Sequence, residues 1–283
     1  MDWPWPRKIC MTQPTPNAVP NLPVQGTHGT GFAGPSGSPP VGDWRSDTKC
    51  AKTGGGLFIT GTDTEVGKTH TSAALLHWCA QQGWRSAGFK PVAAGLDADG
   101  VNEDVQMLRA ASSLPLADAE VGPLQFQAAC APHIAAALEG QVIDMALLVQ
   151  QAQALAARAD VLVVEGVGGF CVPLGPDVDT ADLAVALGYP VILVVGLRLG
   201  CISHALLTAE AIRARGLPLL GWIANTVDPQ MAHLQANIDT LRHEFQRRHR
   251  APCLGVVPRL NDTSPAAAAA CLDPVALHEI FSA

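Results

Sequence analysis

The sequence predicts an α/β protein in which a mostly parallel sheet carries helices on both faces. From Leu57 onwards, short apolar runs rich in Val, Ile and Leu alternate with segments of helical periodicity, a pattern typical of strands that are buried on both faces. The chain of 283 residues is 48% hydrophobic and only 15% charged. That balance suits a folded protein with a sizeable core.

The predicted strands are short apolar runs bounded by glycine, proline or polar residues. In chain order they are Leu57–Thr60, Ser86–Lys90, Val161–Glu165, Val191–Gly196, Leu219–Asn225 and Cys253–Val257. Between them, apolar residues recur at three- and four-residue spacing, which predicts helices. These are Lys68–Gln82, Glu103–Ala111, Pro132–Leu138, Ile143–Ala157, Thr180–Ala186, Ile202–Arg215 and Gln230–Arg248. Parallel strands end at one edge of their sheet, so ligand-binding residues are expected at that edge.

The first 55 residues differ in composition from the rest of the chain. Pro, Gly, Ser and Thr dominate them, and their apolar residues show no period. We therefore predict a disordered arm over residues 1–55 and one folded domain over 56–283. Trp3, Trp5, Arg7 and Lys8 are not followed by the apolar run that a signal peptide needs. A translation start at Met11 or later is an open alternative.

Charge, hydropathy and cysteine spacing exclude several classes of function. The net charge of −7 gives no broad basic surface for nucleic acid. The most apolar strand, Pro190–Val195, is far shorter than the roughly 20 residues of a membrane span. No two of the eight cysteines have the C-x-x-C spacing of zinc or dithiol sites. A cytoplasmic protein with reduced thiols is the simplest interpretation.

A glycine-bounded loop links the first predicted strand to the first predicted helix. It runs from Gly61 to Gly67 and continues into Lys68 and Thr69. This order of strand, loop, Lys-Thr and helix is typical of a phosphate-binding loop. Gly67 would let phosphate approach the backbone closely, and the helix N-terminus would offer free N–H groups. Thr69 would offer a hydroxyl to Mg²⁺. Five residues separate the glycines, one more than in the common pattern. The loop predicts ATP and Mg²⁺ binding.

Polar residues end two other predicted strands. Lys90 follows a short apolar run, and Glu165 ends a buried run and precedes glycines. A second lysine beside a phosphate loop could neutralise a transferring phosphoryl group, and a strand-end acid could bind magnesium. Asp104 begins a predicted helix, where the helix dipole favours an acid in any case. The sequence does not distinguish Asp104 from Glu103 or Asp97 as a further magnesium ligand.

Taken in order, these motifs resemble dethiobiotin synthetase, a relative of the MinD and ParA type of P-loop NTPase. The resemblance extends from about Leu57 to Leu260. It includes the extra residue in the loop. The matching blocks are Gly61–Thr69, Lys90–Gly95, Val164–Gly169, Val191–Gly196, Leu199–His204 and Gly221–Asn225.

The resemblance implies a P-loop NTPase fold and a reaction that joins 7,8-diaminopelargonic acid, CO₂ and ATP into dethiobiotin, ADP and phosphate. It implies a homodimer and no protein nucleophile, so catalysis rests on positioning and charge. Thr64, Lys68 and Lys90 are the implied catalytic residues, and Thr69, Asp104 and Glu165 the implied magnesium ligands. The other implied nucleotide contacts are Glu65, Val66, Gly67, His70, Gly166, Val167, Gly168, Asn225 as the adenine reader, Pro258, Arg259 and Leu260.

The resemblance also implies a substrate site. It consists of Thr64, Lys90, Ala94 and the helix start at Gly200, Cys201 and Ser203, which would meet the substrate carboxylate. Ala94 replaces a frequent serine, Ser203 a common asparagine, and Thr226 a frequent acid.

Two other functions are compatible with the loop. A MinD or ParA type ATPase switch would carry a signature lysine early in the loop, where this chain has Thr62, Asp63 and Thr64. An amidoligase of cobalamin synthesis would need a glutamine-hydrolysing domain with a cysteine nucleophile, for which 283 residues are too few.

Overall fold

A computed structural model describes residues 55–282. The alternative start and the predicted arm lie outside these residues, except for Gly55, which begins the first strand. Within the described residues, eight strands form two sheets. They are β1 (Gly55–Gly61), β2 (Ser86–Phe89), β3 (Val92–Ala94), β4 (Leu124–Phe126), β5 (Val161–Glu165), β6 (Val191–Leu197), β7 (Leu219–Thr226) and β8 (Cys253–Val257). The main sheet has the order β2-β5-β1-β6-β7-β8, and every pairing in it is parallel. The fold class predicted from the sequence is confirmed.

Helices connect the strands and cover the sheet. They are α1 (Lys68–Gln81), α2 (Glu103–Ala111), α3 (Asp118–Val121), α4 (Pro132–Leu138), α5 (Met145–Ala156), α6 (Thr180–Leu187), α7 (Cys201–Ala214), α8 (Leu234–His249), α9 (Pro265–Ala269) and α10 (Pro274–Ser282). The crossover through α1 runs towards one edge of the sheet and those through α6, α7 and α8 towards the other. Because parallel crossovers are right-handed, the two sets of helices occupy opposite faces.

The core of the domain lies along the central strands. Leu57, Phe58 and Ile59 of β1 have no exposed surface, and neither do Val191 and Val195 of β6. A strand buried on both faces cannot alternate apolar and polar residues, which explains the continuous apolar runs in the sequence. No helix among the described residues is long and apolar enough to cross a bilayer.

Several predicted boundaries need correction. β2 ends at Phe89, so Lys90 follows the strand instead of ending it. Helix α8 begins at Leu234 and not at Gln230, because Asp228 starts a turn in which its side chain accepts a hydrogen bond from the Gln230 N–H at 2.9 Å. The second sheet, of β3 and β4, was not predicted. Its strands have three residues each, too few to show a period.

Candidate functional site

The loop after β1 has the conformation that phosphate binding requires. Gly67 is the N-cap residue of α1, with φ of 90°, which favours glycine. A Cβ atom at this position would lie 2.2 Å from Asn225 Nδ2, so glycine is also needed for space. Glu65 has φ of 58°, an uncommon value for a residue with a side chain. The predicted order of strand, loop and helix is confirmed.

Lys68 is buried at the start of α1. Its ammonium donates a hydrogen bond to the carbonyl oxygen of Asp63 at 3.0 Å. Burial, together with the neighbouring charge of Lys90, lowers the pKa of Lys68 to about 8. The buried charges of Lys68 and Lys90 repel each other. Binding of an anion would relieve this repulsion, so the pair favours an anionic ligand.

Four polar side chains meet beside Lys68 and form what we call the acid–lysine cluster: Thr69, Lys90, Asp104 and Glu165. Lys90 Nζ donates to Glu165 Oε1 at 2.6 Å and to Asp104 Oδ2 at 2.9 Å. Thr69 Oγ1 lies 2.7 Å from Asp104 Oδ1 and 2.8 Å from Glu165 Oε1. The structure therefore brings the three predicted magnesium ligands and the predicted catalytic lysine into direct contact.

Burial makes this cluster electrostatically strong. The side chains of Glu165 and Lys90 are 0% and 4% exposed, whereas that of Asp104 is 42% exposed. Burial acts to lower the pKa of Lys90, but Glu165 and Asp104 together raise it above its ordinary value. Burial acts to raise the pKa of Asp104, but Lys90 and Thr69 hold it below its ordinary range. Both shifts favour the charged forms of Lys90 and Asp104 at neutral pH.

Local structure explains why Asp104, and not its acidic neighbours, joins the cluster. Asn102 caps α2, since its Oδ1 accepts the Val105 N–H at 3.1 Å, and its Nδ2 donates to Gly95 O at 3.0 Å. These two hydrogen bonds of Asn102 fix the direction of the first turn of α2. Asp97 instead uses its carboxylate to accept N–H groups within its own loop.

A cavity of about 590 Å³ opens on the other part of the phosphate loop. Thr64, Glu65, Val66, Gly67 and His70 line it from the loop and the start of α1. The other lining residues are Arg198, Asn225, Thr226, Val227, Asp228, Val257, Pro258, Arg259, Leu260, Thr263 and Ala268. The predicted nucleotide contacts at positions 65–67, 70, 225 and 258–260 therefore share one cavity with Thr64, a predicted substrate residue. The cavity has the size of a small-molecule site.

Asn225 is the link between this cavity and the loop. Its Nδ2 donates to the carbonyl oxygen of Val66 at 2.9 Å. One donor of the amide is thus used to hold the phosphate loop, while the rest of the amide lines the cavity. The glycine turn after β5 lies against the same loop, because a Cβ atom on Gly168 would lie 3.5 Å from Thr64 Oγ1.

The structure brings only some of the predicted substrate residues together at the site. Ala94 is half-buried on β3, and neither it nor the start of α7 lines the cavity or bonds to the acid–lysine cluster. Gly200 begins α7 with φ of 95°, Cys201 is buried and Ser203 is exposed. The α7 N-terminus is therefore a separate feature within this one chain.

Sequence reasoning missed three residues around the site: Asp63, Asn102 and Arg198. Arg198 directly follows β6 and ion-pairs with Asp63 of the phosphate loop. A charged residue immediately after a buried strand was the available signal for Arg198. For Asn102, the signal was an N-cap residue before two acids.

The acid–lysine cluster fits a magnesium ion by its chemistry. Thr69, Asp104 and Glu165 supply only oxygen atoms, which Mg²⁺ prefers. Glu165 Oε2 is buried and accepts no hydrogen bond from any described residue, so it has a lone pair available for a cation. Within residues 55–282, no group of three or more His, Cys, Asp or Glu side chains is arranged so that it could hold a metal ion alone. Phosphate oxygens and water would have to complete the coordination.

Solved structures of low sequence identity match this chain to different degrees. The MinC:MinD cell division complex of Aquifex aeolicus matches with a TM-score of 0.51 and 13% identity, over 81% of this chain and 96% of that chain. MinD of Pyrococcus furiosus matches with a TM-score of 0.47 and 17% identity, over 81% of this chain and 98% of that chain. FtsY of Elizabethkingia anophelis, solved in complex with GDP, matches with a TM-score of 0.45 and 14% identity. The match covers 83% of this chain and 66% of the FtsY chain.

A family model described as an AAA domain, AAA_26, matches residues 55–267. This match includes the phosphate loop, the acid–lysine cluster and most of the cavity wall. The family includes P-loop NTPases similar to dethiobiotin synthetase, and its membership implies nucleotide binding with Mg²⁺ as the usual metal. The chain therefore belongs to the AAA domain family AAA_26 and has the fold of a P-loop NTPase.

Proposed function

We propose that this protein is an ATP- and Mg²⁺-dependent ligase that makes dethiobiotin from diaminopelargonic acid and CO₂. The observation that carries the proposal is a pair of buried, neighbouring lysines. Lys68 ends the phosphate loop, and Lys90, after β2, is hydrogen-bonded to two carboxylates. Such a site can neutralise a phosphoryl group and position an acceptor for it. A switch of the MinD type would instead carry its second lysine early in the loop, where this chain has Thr62, Asp63 and Thr64.

The proposed reaction has three bond-forming steps. One amine of the substrate attacks CO₂ and loses a proton, which gives a carbamate. A carbamate oxygen then attacks the γ-phosphorus of ATP, and ADP leaves. Finally the second amine attacks the activated carbonyl carbon and loses a proton, the ureido ring closes, and phosphate leaves with the oxygen that it received. Every nucleophile belongs to the substrate, so the protein supplies orientation and charge.

The roles of the residues follow from this scheme. Lys68 and Lys90 stabilise the negative charge of the carbamate and the transferring phosphoryl group, and Thr64, exposed at the loop, contacts the substrate. Thr69, Asp104 and Glu165 would hold the magnesium ion, which supplies positive charge to the phosphate oxygens. The wide cavity at Asn225 would take the nucleotide base.

A homodimer is part of the proposal. Within one chain the α7 N-terminus lines no part of the cavity, although a helix start suits a substrate carboxylate. Leu199 and Leu207 beside it are 92% and 68% exposed. Large exposed apolar side chains of this kind favour a protein–protein contact. A second copy seated there would bring its own Gly200–Ser203 segment to the substrate.

The main rival is an ATPase switch of the MinD type, which the shared fold alone does not exclude. ADP release separates the two functions. With purified protein, ATP and Mg²⁺, we expect slow ADP formation that rises strongly only when diaminopelargonic acid and bicarbonate are both added. ADP formation that is indifferent to both additions would favour the switch and contradict the ligase.

A further inference from the structure

Arg198 and Asp63 join two elements of the nucleotide site. Arg198 follows β6, and its Nη2 donates a charge-assisted hydrogen bond to Asp63 Oδ2 in the phosphate loop. Both side chains are more than two-fifths exposed, at 43% and 46%. Ion pairs with this exposure add little to fold stability, so a purely structural role gives a weak account of this contact.

Asp63 makes several of the hydrogen bonds that hold the phosphate loop. Its Oδ1 accepts the Thr64 N–H at 2.8 Å, and its carbonyl oxygen accepts the Lys68 ammonium at 3.0 Å. The preceding Thr62 is tied to β6 as well: its N–H donates to Val194 O at 3.0 Å, and its hydroxyl accepts the Gly196 N–H at 3.4 Å. The first half of the loop is therefore held against β6, with Arg198 as the outermost contact.

The loop needs such external contacts. Glu65 has a positive φ of 58°, and this backbone conformation of a residue with a side chain persists only when its surroundings hold it. Asn225 holds the second half of the loop through Val66. Arg198 holds the first half. A loop fixed before the ligand arrives loses less conformational entropy on binding, so its affinity is higher.

We propose that Arg198 is a positioning residue that acts through Asp63 to keep the phosphate loop, and with it Lys68, in the nucleotide-binding conformation. The inference rests on the nucleotide-binding part of the proposed function and not on the identity of the product. The chemical class of ligand that it concerns is a nucleoside diphosphate or triphosphate.

Binding of a fluorescent ADP analogue to the full-length chain tests this role. Arg198→Met and Asp63→Asn should each raise the dissociation constant by about tenfold, as expected for loss of one charge-assisted hydrogen bond. The double variant should be no weaker than either single variant, because both changes remove one interaction. Arg198→Lys should recover most of the affinity, and the KM for ATP should rise more than kcat falls.

Arg85→Met is the matched control. Arg85 pairs with Asp160 at 2.8 Å, and these residues precede β2 and β5 at the opposite edge of the sheet, so only stability can change. An affinity loss in Arg198→Met no larger than in this control would overturn the inference. Multiplied losses in the double variant would also overturn it, because Arg198 would then act independently of Asp63. Absence of ADP binding by the wild type would refute the nucleotide site itself, whereas binding without dethiobiotin formation would refute only the proposed reaction.

Discussion

At the scale of single residues, Lys90 occupies a position that its place in the sequence does not reveal. The sequence shows a lysine after an apolar run, but the structure shows its ammonium bonded to two acids and fully enclosed. That enclosure depends on Asp104 and Glu165, which are 14 and 75 residues away. Sequence reasoning could identify each of these three residues as a candidate. It could not show that they form one cluster.

Lys90→Gln should therefore change both catalysis and stability. Loss of one preorganised charge contact should lower kcat by about 10²–10³. Because the change leaves the acids of the cluster without their cation, it should also destabilise the fold by about 3–5 kcal/mol. Steady-state kinetics and urea unfolding measure the two effects.

The double variant Lys90→Gln with Glu165→Gln is the control for this prediction. It removes one buried acid together with its partner, so most of the stability should return while activity stays low. Full activity of the single variant would show that Lys90 takes no part in the chemistry.

At the scale of elements, the long buried strands and their helices were predictable because their patterns extend over many residues. β1, β5 and β8 were found within three residues of their observed ends. The three-residue strands β3 and β4 pair only with each other, so tertiary contacts and not local pattern define them. Helix α2 was predicted with its observed bounds. Its role in directing Asp104 depends on the bond from Asn102 to Gly95, which no local pattern encodes.

Asn102→Ala tests whether the α2 cap orients the metal site. Loss of an N-cap side chain should lower the free energy of unfolding by about 1 kcal/mol. If the cap also directs Asp104, the variant should need more Mg²⁺ for half-maximal ATP binding. Calorimetry in a magnesium series measures this.

Asp144→Ala provides a comparison with the same local chemistry. Asp144 caps α5 by accepting the Leu147 N–H at 3.1 Å, and it makes no contact with the cluster. A similar loss of stability with an unchanged magnesium requirement is expected. Equal magnesium effects in the two variants would contradict the positioning role of Asn102.

At the scale of the whole molecule, residues 55–282 contain the phosphate loop, the cluster and the cavity. The family match begins at residue 55 as well. The composition of the preceding segment predicts that it buries little apolar surface. These features together assign the chemistry to the segment after residue 54.

Deletion of residues 1–52 should therefore leave kcat, KM and the melting temperature essentially unchanged. Thermal unfolding and the ADP assay on the two proteins provide the comparison. Loss of folded protein or of activity after truncation would mean that the segment contributes to the domain.

The central claim is that the nucleotide site drives closure of a ureido ring. Mass spectrometry of a reaction with diaminopelargonic acid, ATP, Mg²⁺ and isotopically labelled bicarbonate tests it directly. We expect labelled dethiobiotin to accumulate in a one-to-one ratio with ADP, with the label in the ring carbonyl. ADP formation without any labelled product would contradict the account and leave a nucleotide hydrolase of another function.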